Sequence, residues 1–202
     1  MRDDFHPRFD IELVPFTRAD CAALVAWVRD PLTLYRWAGD VFTFPLDEDQ
    51  LARELCEPAR AMPTYRSFMA WDRAQGKPVG FCQLSDIWPS LSARVSGVLV
   101  GEQQERGRGI GAAIVKLALE EAFVVDGVDR VDLGVERTNE AAVRCYVKCG
   151  FVHVGRWRNA ANTPIGMLDV DWMTCYRNPA LPVQPHAQAS SELELQGAEA
   201  LA

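Results

Sequence analysis

Apolar and polar residues change rhythm along this chain, and the changes mark its elements. Phe9, Ile11 and Leu13 alternate with Asp10 and Glu12, the period of a half-buried strand that ends at Pro15. Thr17 with Asp20 three residues on predicts a capped helix through Ala22, Leu24, Val25 and Val28, stopped by Asp30-Pro31. Tyr35, Trp37, Phe42 and Phe44 follow around Gly39 and read as an irregular stretch, whose aromatics either line a groove or cap the core. Asp47 and Gln50 form a second capping arrangement, opening a helix with Leu51 and Leu55 on one face. Ser67 to Asp72 and Pro78 to Asp86 then read as two strands of a hairpin turned at Arg73-Ala74-Gln75-Gly76, and Ala93 to Val100 as a third. Short links between three successive strands imply an antiparallel meander.

The second half is more regular. Residues 110 to 124 have the length and apolar content of a buried helix, and Asp126-Gly127 turns the chain into a strand over Arg130 to Glu136. There Val131, Leu133 and Val135 share one face, while Asp132, Gly134 and Glu136 share the other. A strand, crossover helix and strand of this length predict one parallel pair within the antiparallel sheet. Asn139 to Cys149 is a further helix ended by Gly150, and Phe151 to Trp157 with Met167 to Tyr176 make a closing hairpin around Asn162-Thr163-Pro164. The expected fold class is therefore α/β in the α+β sense, one domain over residues 8–177. Its sheet is mixed but mostly antiparallel, with about six to seven strands and about four helices. Residues 1–7 form a short arm, and the Pro-, Gln-, Ala-, Ser- and Glu-rich residues 178–202 are expected to be a disordered tail.

Composition narrows the function. In 202 residues, 49% hydrophobic content with six tryptophans supports one packed core. The acidic start Met1-Arg2-Asp3-Asp4 lacks the pattern of a signal peptide, and no apolar run reaches membrane-spanning length, so the expectation is a cytoplasmic protein without a membrane partner. Cys21, Cys56, Cys82, Cys145, Cys149 and Cys175 contain no C-x-x-C pair. They are expected as reduced thiols with no metal, and His6, His153 and His186 stand near no plausible nucleophile. The net charge of −7 argues against nucleic acid and mildly favours a cationic partner.

The candidate chemistry lies in Gln104-Glu105-Arg106-Gly107-Arg108-Gly109-Ile110-Gly111, between a predicted strand and a predicted helix. A helix entered through alternate glycines leaves its first N–H groups unpaired, where the helix dipole also favours negative charge. The spacing is neither G-x-G-x-x-G nor a P-loop, so the residues alone leave open a phosphate seat or a turn that packs a helix close to a strand. Asn139, Ala142, Val143 and Tyr146, on one face of the later helix, should open on the same crevice.

Together these stretches resemble the GNAT superfamily of N-acetyltransferases, whose acetyl-CoA signature Q/R-x-x-G-x-G/A corresponds here to Gln104-x-x-Gly107-x-Gly109. Asn139-Glu140-Ala141-Ala142-Val143-Arg144-Cys145-Tyr146-Val147-Lys148-Cys149-Gly150-Phe151 likewise resembles the superfamily's N-x-x-A-x-x-x-Y-x-K-x-G-F element. The Val98 to Glu102 stretch and Gly155-Arg156-Trp157-Arg158 look most like the subgroup that acetylates the N-termini of ribosomal proteins. The resemblance implies a transferase that moves acetyl from acetyl-CoA to a primary amine by direct attack, without a metal. The acceptor would be a protein N-terminus or a small cationic amine such as a polyamine or aminoglycoside, and the protein a monomer or homodimer. A catalytically weak CoA-binding sensor is the reading from another class.

By the same resemblance, the backbone of Arg106, Gly107, Arg108, Gly109, Ile110 and Gly111 would hold the pyrophosphate, with Gln104 opening the loop. Leu99 and Val100 would pair with the pantetheine arm, Asn139 would touch the cofactor near its thioester end, and Ala142 would also contact the cofactor. Tyr146 would protonate the leaving thiolate. Some members carry a glutamate at the position of Gly134; here that acid is absent, and Glu136, two residues along, is the candidate base.

Overall fold

The computed structural model describes residues 9–56, 65–163 and 166–178. Seven strands form one sheet in the order β1-β2-β3-β4-β5-β7-β6. They are β1 (Ile11–Pro15), β2 (Arg66–Asp72), β3 (Lys77–Trp88), β4 (Ser92–Val100), β5 (Arg130–Glu136), β6 (Val152–Thr163) and β7 (Gly166–Tyr176). Every pairing is antiparallel except β4 with β5. The helices are α1 (Cys21–Trp27), α2 (Pro31–Ala38), α3 (Glu48–Leu51), α4 (Ile110–Glu120) and α5 (Glu140–Lys148). The predicted arm and most of the predicted tail lie outside the described residues, as does Pro164 of the last turn.

Local chemistry accounts for most of these elements. Asp20 accepts from the Thr17 backbone N–H and hydroxyl, both at 2.8 Å, and a single tight turn precedes α1. Asp47 accepts from Gln50 N at 2.8 Å and opens α3, while the Gln50 side chain ties back to Thr43 N at 2.9 Å and Pro45 O at 3.0 Å. One expectation needs correction. The aromatic stretch is not irregular from its start, because Asp30-Pro31 both ends α1 and begins α2. The Asp30 carboxylate caps Thr33 N at 2.9 Å and takes the Thr33 hydroxyl at 2.6 Å, Pro31 occupies the first turn, and Gly39 closes the helix.

The sheet carries a core on each face. Ile110, Ile114, Val115, Ala118 and Leu119 of α4 pack with Val95, Val131, Leu133, Phe151 and Met173, and Tyr146 of α5 leans on the same cluster. On the opposite face, Leu24 and Trp27 of α1 and Leu34 and Trp37 of α2 cover Met69, Phe81 and Leu99. That second layer lies over the β2–β4 half of the sheet. The same face of β5, β7 and β6 presents Trp172 and Trp157 instead.

Candidate active site

The parallel pair is short. Residues 92–94 of β4 pair with residues 130–132 of β5, Arg94 with Asp132 being the last match, and the two strands then diverge. A bulge in β4 reinforces the divergence: Gln83 pairs with Ser96 but Phe81 with Leu99, so β4 holds one extra residue. Gly97 accommodates it at φ +56°, and the indole N–H of Trp37 donates to the Gly97 carbonyl at 2.8 Å. Trp37 is itself fixed by stacking on Phe42 and by an edge contact to Phe81, with ring centroids 5.5 and 5.6 Å away. Of the aromatics that could have lined a groove, Trp37 and Phe42 thus belong to the core and shape the strand from beneath, whereas Phe44 is exposed. Leu99 and Val100 pair with Phe81 and Gly80 of β3, and β5 has left their other edge.

The chain then runs through Gly101 and a tight turn at Gln103–Glu105 into the glycine loop. Gly107 and Gly109 have φ of +75° and +106°, Gly109 standing as the N-cap of α4. Conformation alone therefore selects glycine at both, before any ligand is considered. The first helical bond runs from Ala113 N to Gly109 O at 3.0 Å, so the N–H groups of Ile110, Gly111 and Ala112 have no partner within the helix. Arg106 differs from the rest of the loop, because its backbone N–H donates to Gln103 O at 3.2 Å. The two arginine side chains also divide. Arg106 is exposed, whereas Arg108 pairs with the buried Glu105 and lies over the Phe9 ring. Glu105 also takes Lys77 at 3.4 Å and ties the loop to β3. Gln104 lines a hollow of about 390 Å³ on the α1 side, shared with Trp27, Lys77 and Glu102.

Across the crevice, α5 packs against the first turn of α4. The Cys149 thiol donates to Ala112 O at 3.6 Å, and the Cys145 sulfur lies 3.8 Å from where a Gly111 side chain would begin. Asn139 caps α5, its side-chain oxygen accepting from Ala142 N at 3.3 Å, and its own N–H donates to Glu136 O at 2.9 Å. Ala142 and Tyr146 follow on the half-buried face of the helix, Tyr146 edge-on to Phe151 with centroids 5.9 Å apart. Burial pushes the Tyr146 phenol above its ordinary value, and the neighbouring Cys145, Cys149 and Cys82 push the same way. The structure thus gathers the glycine loop, Asn139, Ala142 and Tyr146 around the gap between β4 and β5.

Glu136 lies at the mouth of that gap in a closed set of contacts. Arg36 of α2 donates to it through two nitrogens at 2.8 and 3.2 Å, the Thr138 hydroxyl also donates, and the carboxylate side chain is 8% exposed. Burial would raise its pKa, but the bonds from Arg36 and Thr138 and the Arg36 charge outweigh burial and hold it below the ordinary carboxylate range. Gly134 is exposed, and a side chain there would begin 3.2 Å from Val170 Cγ1 and 3.7 Å from the Trp172 ring. The sequence does not show the contacts of Trp37 with Gly97, Arg36 with Glu136 or Glu105 with Lys77. The Asp30-Pro31 cap and the Leu34, Trp37 spacing could have revealed α2; nothing in the loop pattern marks Glu105. Among the described residues, no group of three or more His, Cys, Asp and Glu side chains could hold a metal ion, and no helix is long and apolar enough to cross a membrane.

A splayed parallel pair, a glycine-entered helix start and a half-buried tyrosine on the neighbouring helix are thus brought together on one sheet. The chain belongs to the acetyltransferase (GNAT) family, whose model matches residues 32–151. It is 27% identical over 110 residues to the phosphinothricin N-acetyltransferase of Streptomyces coelicolor, a match covering 54% of this chain and 64% of that protein's length. It is 26% identical over 156 residues to the aminoglycoside N(6')-acetyltransferase type 1 of Klebsiella pneumoniae, covering 69% of this chain and 72% of the relative. The spermidine N-acetyltransferase of Vibrio cholerae, solved with CoA and spermine, superposes with a TM-score of 0.69 at 20% identity over 82% of this chain and 95% of that one. That last likeness is one of fold.

Proposed function

We propose that this protein is an acetyl-CoA-dependent N-acetyltransferase whose acceptor is a small cationic amine. The observation that carries the reading is the β4–β5 gap, flanked on one side by the glycine-entered start of α4 and on the other by Asn139 and Tyr146. The small cationic acceptor, in place of the protein N-terminus that the sequence pattern favoured, is supported by the relatives named for aminoglycosides and spermidine.

Acetyl-CoA supplies an activated thioester. The residues fit it: the N–H groups of Ile110, Gly111 and Ala112 suit the pyrophosphate, helped by the exposed Arg106. The open edge of Leu99 and Val100 suits strand-like pairing with the pantetheine amides. Asn139 and Ala142 stand at the thioester end. Tyr146 donates a hydrogen bond to the departing sulfur. A phenol raised above about 10 cannot hand its proton downhill to a thiolate of parent pKa about 8.5, so the proton moves only as the C–S bond breaks.

The attacking amine must be neutral. Glu136, bound by Arg36 and Thr138, suits holding α2 against β5 better than taking that proton, and we assign no side-chain base. Near pH 7 an amine of pKa about 8 is roughly one-tenth neutral, one of pKa about 10.4 less than about one-thousandth. On this ground alone a less basic amine reacts faster, whether a small molecule or a peptide N-terminus carries it. The test is thiol release from acetyl-CoA with polyamines, aminoglycosides, amino acids and peptides bearing free N-termini. Turnover with small amines and none with peptides is expected; turnover confined to peptides would return the acceptor to a protein N-terminus.

A further inference from the structure

Beyond the core that α1 and α2 cover, the same sheet face turns polar. Ser67 of β2 stands two residues from the core residue Met69, and Gln83 and Ser85 of β3 continue the face of Phe81. Ser96 of β4 lies opposite Gln83. The four side chains are joined: Gln83 Nε2 donates to Ser67 Oγ at 3.1 Å, Ser96 Oγ donates to Gln83 Oε1 at 3.2 Å, and the Ser85 and Ser96 hydroxyl oxygens are 3.3 Å apart. Resting on the acetyl-transfer reading above, we infer that Ser96 holds the attacking amine. Its oxygen accepts an N–H of the acceptor and turns the nitrogen lone pair toward the thioester, with Gln83 and Ser85 as positioning residues behind it.

Position is the first argument. Arg94 and Asp132 are the last matched residues of β4 and β5. Two residues further along each strand, and so on the same face, come Ser96 and Gly134, with the gap opening between them. Ser96 precedes the β4 bulge and stays in step with Arg94, since the two pair with Gln83 and Ser85 in turn. Ser96 is half-buried, and the exposed Gly134 puts no side chain in front of it.

The direction of the hydrogen bonds decides what Ser96 can offer. The Gln83 amide nitrogen is committed to Ser67, so its oxygen is turned to Ser96 and takes the one proton of that hydroxyl. Ser85, only 4% exposed, then donates its own proton to Ser96. A hydroxyl oxygen carries two lone pairs; Ser85 occupies one, and the other is left to accept. Bonds that run in one direction from Ser85 through Ser96 to Gln83 also strengthen one another.

An uncharged acceptor suits the chemistry. A carboxylate in this place would hold the ammonium form and raise the pKa of the amine, whereas a hydroxyl exerts no such pull. In the attack, the nitrogen lone pair forms the N–C bond and the C–S pair leaves on sulfur, which takes the Tyr146 proton. The nitrogen, now cationic, releases its extra proton to water, and Tyr146 regains one from solvent. Ser96 keeps its own proton throughout.

Steady-state thiol release from acetyl-CoA with spermidine and with kanamycin tests this on the wild type, Ser96→Ala, Ser96→Thr and Ser96→Asp, beside melting temperatures and acetyl-CoA titrations. For each amine that turns over, Ser96→Ala should lower kcat/KM about five- to tenfold and leave acetyl-CoA affinity within about twofold. Ser96→Thr, which keeps the hydroxyl, should recover most of the loss. Ser96→Asp sets a charge beside the amine and should move the midpoint of the kcat–pH profile upward, a shift that altered packing alone does not produce. Three results would each overturn the assignment and leave the acetyltransferase reading standing: an amine kcat/KM indifferent to Ser96→Ala, equal losses in Ser96→Ala and Ser96→Thr, or an unmoved midpoint in Ser96→Asp. Absence of transfer by the wild type to either amine would overturn the small-cation reading and this assignment with it.

Discussion

Tyr146 meets the core edge-on to Phe151, and burial keeps its phenol protonated across the whole working range of pH. Its helix packs against the start of α4, which suits the proposed hydrogen bond to the departing sulfur. Tyr146→Phe preserves the ring packing and removes only the hydroxyl. It should lower kcat by roughly 10²-fold, the scale of one positioned proton donor, with acetyl-CoA KM within about twofold; thiol release over a range of acetyl-CoA concentrations reads both, and an unchanged kcat would remove Tyr146 from the chemistry. Tyr146, Asn139 and the glycines were legible in the sequence because each sits in a fixed local spacing on its own element. Trp37, Arg36 and Glu105 were not. Their partners, Gly97, Glu136 and Lys77, lie 60, 100 and 28 residues away, and no local pattern reports a contact made only by folding.

Among the elements, α2 links the two halves of the crevice. It carries Trp37 to the β4 bulge and Arg36 to Glu136 on β5, so one helix spans both strands where they part. Reading residues 35–45 as irregular missed this, because Asp30-Pro31 was taken only as a stop. Proline within the first turn is compatible with a helix start, and the Asp30 side chain supplies the cap. The strands were easier: alternation and turn residues marked all seven, although β6 runs six residues beyond its expected end at Trp157, through Asn162 and Thr163 that read as turn, and the crossover through α4 predicted the parallel pair. The insertion of β7 between β5 and β6 could not be read from order alone, since a hairpin can add to a sheet by either of its strands.

The Arg36–Glu136 link also sets a pH dependence. Glu136 has a folded pKa below its unfolded value of about 4.3. Its stabilisation is therefore fully present above that pH and is lost as pH falls through the folded value. Asp171, held by Arg156 at 2.6 Å and His153 at 3.2 Å, has the same sign, its pKa lowered against burial. Arg36→Ala leaves the buried Glu136 carboxylate without its cation and should cost roughly 1–3 kcal/mol near neutral pH. It should also flatten the acid limb of a melting-temperature profile below about pH 4.3. Denaturant unfolding at several pH values reads both effects, and a variant with unaltered acid sensitivity would show that the link does not hold α2 in place.

For the molecule as a whole, the two cores act as clamps on either face of a sheet that is continuous at its edges and parted at its centre. The α4 and α5 layer presents the glycine-entered start of a helix to one side of the gap, while α1, α2 and the tryptophan-lined face of β5, β7 and β6 meet the other. Donor and acceptor would approach from opposite faces and meet between β4 and β5. This geometry rests on the donor being held by the backbone at the start of α4, where Gly109 has φ +106° and a side chain would force the loop to change shape. Isothermal titration of acetyl-CoA into the wild type and Gly109→Ala, with melting temperatures measured alongside, tests that claim most directly. The wild type should bind with one-to-one stoichiometry, and Gly109→Ala should bind at least about tenfold more weakly while still melting cooperatively. Equal affinity in a folded Gly109→Ala protein, or no binding by the wild type, would contradict it.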